Sequence, residues 1–292
     1  MKILRLIILL PALILLILSA GCGAFNNDNN DFYPLTVTFF DVGKGDCILI
    51  HQNNSNILID AGYKKTADTI ILKLNKLGIK NIDHMIITHY DKDHVGGAAS
   101  IAETFNIEQL YLPDYEGESS KYDDLMEIIN KKSIPYTIIS EDTVIREAGM
   151  QLNIFASKID YIPSDKDKEG NDNDVSLVTA LYCNEDSYLF AGDIEEDGIN
   201  AYLSEHDETY DILKIPHHGN YEDNSDDLIN TAKPEIAIIT DSDDKPADTS
   251  LTRLLEDSGI EVYLTSKDGS ITVTGTENGE YITDTGTGLR PY

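Results

Sequence analysis

The sequence predicts a layered α/β domain, and three observations support this. From residue 34 onward, short apolar runs alternate with longer amphipathic ones. The short runs, such as LTVTFF (35–40), are bounded by Gly, Asn and Asp, which is typical of strands. Hydrophobic residues make up 41% of the 292 residues, which is enough for a buried core. Such alternation favours sheets that are covered by helices.

The elements can be assigned in chain order. KTADTIILKLNKLG (65–78) is predicted to be a helix, because its aliphatic residues recur on one face and Gly78 ends it. Further strands are expected at CILI (47–50), NILI (56–59), HMIIT (84–88), EQLYLP (108–113), TIIS (137–140), QLNIFA (151–156), SLVTALY (176–182), SYLFAG (187–192), YDILKIP (210–216) and EIAIIT (235–240). Further helices are expected at 95–105, 120–132, 194–204, 224–232 and 249–258. Residues 156–174 are predicted to form a long polar loop, and residues 261–283 a terminal antiparallel meander.

The chain is strongly acidic. It has 52 Asp and Glu against 22 Lys and Arg, which gives a formal net charge of −30. Such a surface repels nucleic-acid phosphates unless a basic groove or bound cations intervene, and it attracts divalent cations. Solubility alone is the commoner reason for an acid excess. No cluster of Lys and Arg interleaved with aromatic residues is visible, and NKKS (130–133) comes nearest.

The first 33 residues are predicted to lie outside the folded domain, which would span 34–292. Residues 1–21 have a basic start, an apolar run and then small residues, the pattern of a secretory signal peptide. The ending Ser19-Ala20-Gly21-Cys22 resembles a bacterial lipoprotein signal, in which Cys22 becomes the lipidated first residue, and residues 22–33 would be a polar tether. An uncleaved signal anchor is the alternative. Both interpretations place the domain outside the cytoplasm, attached to the cell membrane.

The densest group of metal-capable side chains is THYDKDHVGG (88–97). In an extended turn, His89 and Asp91 point the same way, and Asp93 and His94 can face a second point nearby. This arrangement suits a pair of divalent cations, which lie of order 3.5–4 Å apart in two-metal hydrolases. Imidazole combined with carboxylate favours zinc, manganese or iron. The alternative is an exposed charged turn with helix-capping aspartates.

This motif has the form His-x-Asp-x-Asp-His after a buried strand, and further stretches accompany it. They are FFDVGKGDCILI (39–50), NILIDAG (56–62), NDVSLV (173–178), FAGDI (190–194), LKIPHHGN (213–220) and VYLTSKDGSITV (262–273). In this order they resemble the metallo-β-lactamase fold superfamily, and most of all the extracellular hydrolase domain of ComEC-type DNA-uptake channel proteins. The resemblance implies an αββα sandwich, with two β-sheets back to back, helices outside, and the site at one edge of the sheets.

The resemblance also implies two divalent ions, zinc or manganese, and their ligands. These are His89 and Asp91 for one ion, Asp93 and His94 for the other, and Asp193 as the bridge. His218 would complete the centre, with His217 beside it or in its place, and the order of these two histidines stays open. Helix-start residues without a ligand are the alternative for this pair.

Other residues are assigned to ligand support, to proton transfer or to the substrate. Asp46 and Asp60 would orient ligand imidazoles, or are turn residues beside glycines. Asp93 or Asp193 would orient the attacking water or accept its proton. The positions expected beside the ligands or the substrate are Lys44, Asn173, Ser176 and Lys245.

The chain departs from the superfamily pattern at several positions. No histidine occurs from residue 95 to residue 205, where the superfamily's metalloenzymes have a ligand. Asn173 and Ser176 stand there, so one ion is expected to be weakly held. Lys44 replaces the usual Gln, Asn220 the usual Ser, and Lys245-Pro246 the usual His-Pro. Either lysine would then offer a cation to a phosphate.

These observations predict an extracytoplasmic, metal-dependent hydrolase, a phosphodiesterase or nuclease that uses a water activated by a binuclear metal site. Its substrate would be a phosphodiester or an envelope polymer, and DNA is a further candidate. A lactonase or other ester hydrolase of the same fold is the first alternative, because a fold does not determine a substrate. A non-catalytic surface lipoprotein with a degenerate metal site is the second. The sequence indicates no protein partner.

Overall fold

The structure of the protein, a computed structural model, describes residues 34–163, 170–276 and 281–286, and these residues contain two β-sheets. The first sheet contains, in spatial order, β15 (Tyr281–Gly286), β14 (Ser270–Gly275), β1 (Thr36–Phe39), β2 (Ile48–Gln52), β3 (Ser55–Ile59), β4 (Asn81–Ile86), β5 (Asn106–Pro113) and β6 (Tyr136–Ile139). The second contains β13 (Glu261–Leu264), β12 (Ile236–Ile239), β11 (Ile212–Lys214), β10 (Asp186–Phe190), β9 (Val178–Cys183), β8 (Met150–Phe155) and β7 (Thr143–Glu147).

Helices cover the outer face of each sheet. The helices on the first sheet are α1 (Ala67–Lys76), α2 (Ala98–Thr104) and α3 (Ser120–Lys132). The helices on the second sheet are α4 (Glu196–Leu203), α5 (Ser225–Ala232) and α6 (Thr249–Asp257). A one-turn helix, α7 (Thr265–Asp268), joins β13 to β14. The order helix, sheet, sheet, helix confirms the predicted αββα sandwich.

The central strands are buried on both faces. In β3, Ile57 and Ile59 face the opposite sheet, while Leu58 packs under the helices. This explains why these strands appear in the sequence as continuous apolar runs rather than as alternating ones. Between the sheets, the rings of Phe39 and Phe190 lie 6.1 Å apart.

Parallel strands place the functional segments at one edge of the sandwich. In the first sheet β3, β4 and β5 are parallel, and in the second sheet β10, β11, β12 and β13 are parallel. The carboxyl ends of parallel strands meet at the same sheet edge, which is where open α/β sheets bind ligands. The segment that contains the His-x-Asp-x-Asp-His motif leaves β4 at this edge.

Two predicted features differ from the structure. Strand β7 was not predicted, because it is a sheet edge with few apolar residues, and Val144 is largely exposed. The C-terminal meander is only partly right. Strand β13 pairs with β12 in parallel, and α7 then leads to β14, which pairs antiparallel with β1 and β15 in the other sheet.

The predicted signal peptide (1–21), the tether (22–33) and Cys22 lie outside the described residues. The polar loop is described at 156–163 and 170–174, where it forms neither helix nor strand. No helix within the described ranges has the length and apolarity needed to cross a membrane.

The contact between the two sheets can be tested through Phe39. We expect Phe39→Ala to lower the free energy of unfolding by about 3–5 kcal/mol, because this fully buried ring packs against the facing sheet. Urea unfolding followed by circular dichroism measures the change. Leu72→Ala, at an exposed position of α1, is the control and should change it by less than about 0.5 kcal/mol. Equal effects of the two substitutions would contradict this packing.

Candidate metal centre

The loop from His89 to His94 connects β4 to α2, and Thr88 anchors it. The Thr88 backbone N–H donates to Asp60 Oδ1 at 2.9 Å, and the Thr88 hydroxyl donates to Asp60 Oδ2 at 2.7 Å. The Asp91 carbonyl accepts a hydrogen bond from the His94 N–H at 3.0 Å, which turns the chain back. The turn brings the ring centroids of His89 and His94 within 4.1 Å.

Two glycines let this loop lie against the chain that leaves β3. A Cβ atom on Gly97 would lie 2.2 Å from the Ala61 carbonyl oxygen, and one on Gly96 would lie 2.8 Å from the Lys64 backbone nitrogen. Both distances are far below van der Waals contact. Any side chain at either position would therefore displace the loop that carries His94.

Asp193 reaches the same point from the second sheet. Gly192, with a φ of +56°, turns the chain after β10. The buried carboxylate of Asp193 then places Oδ2 3.1 Å from His94 Nε2 and 2.9 Å from His218 Nε2. One carboxylate oxygen thus contacts an imidazole from each sheet.

The backbone after β11 separates the two adjacent histidines. His217 and His218 both have left-handed conformations, with φ of +46° and +56°, which cost of order 1–3 kcal/mol each for residues other than glycine. As a result, His218 is 1% exposed and its Nε2 lies 3.2 Å from His94 Nε2. His217 turns away, with Nδ1 3.0 Å from Glu195 Oε1. The structure therefore places His218, and not His217, among the side chains of the motif.

In His89, His94 and His218, the Nδ1 atom lies within hydrogen-bond distance of an oxygen atom. The three distances are 2.7 Å from His94 to Asp60 Oδ2, 3.1 Å from His89 to Thr88 Oγ1, and 3.1 Å from His218 to Thr240 Oγ1. Each threonine hydroxyl already donates its hydrogen to an aspartate, since Thr240 donates to Asp46 Oδ1 at 2.6 Å. The hydroxyls must therefore accept from the imidazoles, so Nδ1 carries the proton and Nε2 is directed toward the centre.

The residues present fit a divalent metal ion. His89 Nε2 is fully buried and has no hydrogen-bond partner. Two overlapping groups each place their ligand atoms within 4.8 Å of one another, and they are His89, His94 and Asp193, and Asp93, His94 and His218. A combination of imidazole and carboxylate ligands favours zinc, manganese or iron over calcium.

The centre changes the acidity of its members. Burial alone lowers the pKa of His94, but Asp193 and Asp60 outweigh burial and raise it well above its ordinary value. Burial and the neighbouring His94 lower the pKa of His89 well below its ordinary value. Burial disfavours the charge of Asp193, but His218, His94 and Lys214 hold its pKa well below the usual range. In the protein without metal, the raised pKa favours the protonated form of His94, and a bound ion would have to displace that proton.

The two other aspartates of the motif differ in position. Asp93 is half-buried, lies 3.8 Å from His218 Nε2, and accepts a hydrogen bond from the Tyr63 hydroxyl at 3.3 Å. Burial and then the charge of Asp93 raise the pKa of Tyr63 to about 12, so the phenol remains a donor. Asp91 is exposed, and its carboxylate belongs to no ligand group among the described residues. Its role as a ligand stays a prediction.

The remaining predicted residues are spread around the centre. Lys44 Nζ donates to Asn220 Oδ1 at 2.9 Å, and Asn220 lies against the ring of His217. Asn173 Nδ2 donates to Glu195 Oε1 at 2.8 Å, while its Oδ1 is buried without a partner. Ser176 Oγ accepts the Asp193 N–H at 3.4 Å. Lys245 lies in an exposed turn.

Sequence reasoning missed Lys214 and Thr240. Lys214 is fully buried, and its Nζ contacts Asp46 Oδ2 and Asp193 Oδ1. Burial disfavours its charge, but these two aspartates raise its pKa, so it stays protonated. A charged residue inside the apolar run ILKIP was the available signal. Thr240 had no comparable signal in the sequence, because a threonine at the end of a strand is common.

The proton on His94 predicts a pH-dependent metal affinity. We expect the apparent affinity for zinc to rise by up to about tenfold per pH unit below the raised pKa of His94, because the ion displaces this proton. Calorimetric titration from pH 6 to 8 in two buffers of different ionisation enthalpy measures both the affinity and the proton release. Asp60→Asn should shift the dependence to lower pH, and His84→Ala, within β4, should leave it unchanged. Binding that releases no proton would contradict this assignment.

The sequence profile of the metallo-β-lactamase superfamily matches residues 40–239. Two curated relatives are each 23% identical to this chain, ComE operon protein 3 of Bacillus subtilis over 80% of the chain and competence protein ComA of Neisseria gonorrhoeae over 70%. The aligned regions cover only 32% and 26% of those relatives, so the chain spans about a quarter to a third of their length.

Two solved structures share the fold. The metallo-β-lactamase fold protein YhfI of Bacillus subtilis superimposes with a TM-score of 0.52 at 10% identity, over 81% of this chain and 98% of that one. Zinc-bound PqqB of Methylobacterium extorquens gives a TM-score of 0.52 at 14% identity, over 78% of this chain and 86% of that one. With the profile match over most of its length and the αββα sandwich, the chain belongs to the metallo-β-lactamase superfamily.

Proposed function

We propose that the protein is a metal-dependent hydrolase of phosphodiesters that acts outside the cytoplasm. The convergence of three imidazole Nε2 atoms on one buried centre, together with Asp93 and Asp193, carries the proposal. The two ligand groups share His94, whose single free nitrogen, Nε2, can bind only one ion, so a second ion would be held by the remaining side chains of the groups. Side chains of this kind hold the metals that activate water in phosphatases and nucleases.

Lys44 supports a phosphate as the group that is bound. Its ammonium is half-exposed, and its hydrogen-bond partner Asn220 is neutral. The same asparagine reaches His217, which precedes His218 in the chain, and this link supports a position for the cation near the centre. A lysine with a neutral partner keeps its full charge for an anionic ligand. The resemblance of the motifs to ComEC-type DNA-uptake proteins favours DNA as a substrate, but the net charge of −30 favours a small diester or an envelope polymer.

The side chains of the centre have separate roles in this reaction. Bound divalent ions would polarise the phosphoryl oxygen and lower the pKa of water. Both oxygens of Asp193 are engaged, Oδ1 with Lys214 and Oδ2 with two imidazoles, so this residue is suited to holding the ions. Asp93 is more exposed and faces the Tyr63 hydroxyl, so it is better placed to orient water or accept a proton.

Attachment to the membrane is part of the proposal. The pattern that ends at Cys22 supports a lipid on that residue, with the polar tether of residues 22–33 holding the domain beyond the membrane surface. Mass spectrometry of the protein from membranes would detect the lipid. An unmodified N-terminal segment would favour the uncleaved anchor.

Two alternatives remain. A lactonase or other ester hydrolase would use the same centre, since imidazole and carboxylate ligands serve many hydrolases. A non-catalytic lipoprotein is favoured by the exposed Asp91 and by the missing histidine between residues 95 and 205.

Metal content and activity together test the proposal. The chain from Gly23 onward retains all described residues, and elemental analysis should find about two metal ions per chain. With added manganese or zinc it should hydrolyse bis-p-nitrophenyl phosphate, and the ratio of this rate to that on single-stranded DNA ranks the substrates. His89→Ala/Asp193→Ala should abolish both activities, whereas His84→Ala should keep them. A protein with neither bound metal nor activity would support the non-catalytic alternative. Activity on lactones but not on phosphodiesters would support the ester-hydrolase alternative.

The contribution of Lys44 can be measured separately. We expect Lys44→Ala to raise KM for the phosphodiester about tenfold with little change in kcat, because a charge-assisted contact to the phosphate is lost. Lys245→Ala tests the other predicted cation, and its exposed turn predicts a smaller effect. Lys76→Ala, on the surface of α1, is the control. An unchanged KM in Lys44→Ala would remove the phosphate role of this residue.

A further inference from the structure

Lys214 is the one buried lysine or arginine in the part of the chain that the structure describes. It ends β11, and its apolar neighbours Leu213 and Ile215 are buried as well. Its ammonium has three oxygen partners, the Gly192 carbonyl at 2.8 Å, Asp46 Oδ2 at 2.5 Å and Asp193 Oδ1 at 3.3 Å. Three N–H donors thus meet three acceptors, which satisfies the group completely.

These contacts link the ammonium to two of the candidate ligands. Lys214 binds Asp193 directly through Oδ1, which leaves Oδ2 directed at the imidazoles. It also binds Asp46, whose other oxygen accepts the hydroxyl of Thr240, and Thr240 in turn holds His218. The orientation of both ligands therefore depends on the same cation.

The balance of buried charges in the centre also indicates that the candidate ligands depend on Lys214. Asp46, Asp60 and Asp193 are each at most 3% exposed, and carboxylates that are buried without compensation strongly destabilise a fold. His94 compensates Asp60, at 2.7 Å. Lys214 is the fixed positive charge that faces the other two. Without it, Asp46 would face only the His218 imidazole, at 3.6 Å, and Asp193 only the imidazoles of His94 and His218, so a bound metal ion would have to supply the missing positive charge.

We propose that Lys214 is a positioning residue that serves as the built-in counter-ion of the metal centre. It keeps Asp46 and Asp193 assembled when no metal is bound, and it reserves Asp193 Oδ2 for the ion. Folding of the protein is thereby made largely independent of metal supply. The inference rests on the metal centre of the proposed function, and it does not depend on the substrate.

The variant Lys214→Met removes the charge and keeps the length of the side chain. In metal-free protein, we expect it to lower the melting temperature by about 10 °C, since a buried charge pair is broken. Added zinc should then raise the melting temperature of Lys214→Met by more than it raises that of the wild type, because the ion takes over the role of the counter-ion. Lys73→Met is the matched control, a half-buried lysine that contacts Ser270 and the ring of Phe40, and it should keep the wild-type response to zinc.

A second substitution separates charge from packing. Asp46→Asn in the Lys214→Met background removes the uncompensated carboxylate, and we expect it to restore at least half of the lost melting temperature without metal. A purely packing role for Lys214 predicts no restoration and no enhanced response to zinc, and that result would overturn the proposal. If zinc shifts neither the wild type nor any variant, the metal centre itself is wrong. The restoration by Asp46→Asn without metal still decides whether Lys214 acts as a counter-ion.

Discussion

The rest of the site depends on one contact, in which Asp193 Oδ2 lies between the Nε2 atoms of His94 and His218. His94 comes from the first sheet, and Asp193 and His218 come from the second. Between their inner faces the two sheets meet mainly through apolar side chains, whose contacts are non-directional. At this edge they meet through charged groups with defined distances. The contact at the polar centre therefore requires a defined placement of one sheet against the other.

The buried acidic groups of the centre nearly all have partners, although the chain as a whole has an excess of acidic residues. The chain as a whole carries a net charge of −30, yet the buried carboxylates at this edge face imidazoles, threonine hydroxyls and one ammonium. The atoms without partners are equally informative. His89 Nε2 and Asn173 Oδ1 are buried and unsatisfied, and native proteins leave few such atoms without a functional reason. The centre is thus stable in itself and still has free ligand atoms.

The sequence was most informative where function and local pattern coincide. The His89–His94 segment follows a strand that is buried on both faces, so both the strand and the motif could be predicted from neighbouring residues. The choice between His217 and His218 could not, because it depends on two consecutive left-handed backbone conformations that no residue type at these positions indicates. Lys214 and Thr240 act through partners far away in the chain, such as Asp46, and such pairings emerge only from the fold. Strand β7 and the parallel pairing of β13 were missed because edge strands carry weak apolar patterns.

The position of the centre across both sheets has a consequence for residues that never touch it. A small rotation of one sheet over the other would leave every strand intact and yet separate Asp193 from His94. Side chains between the sheets, such as Phe39 and Phe190, set that rotation through their volume. Substitutions among them can therefore change the geometry of the candidate metal centre while its own side chains are untouched. In this fold the packing of the apolar interior determines how the side chains at the sheet edge are aligned with one another.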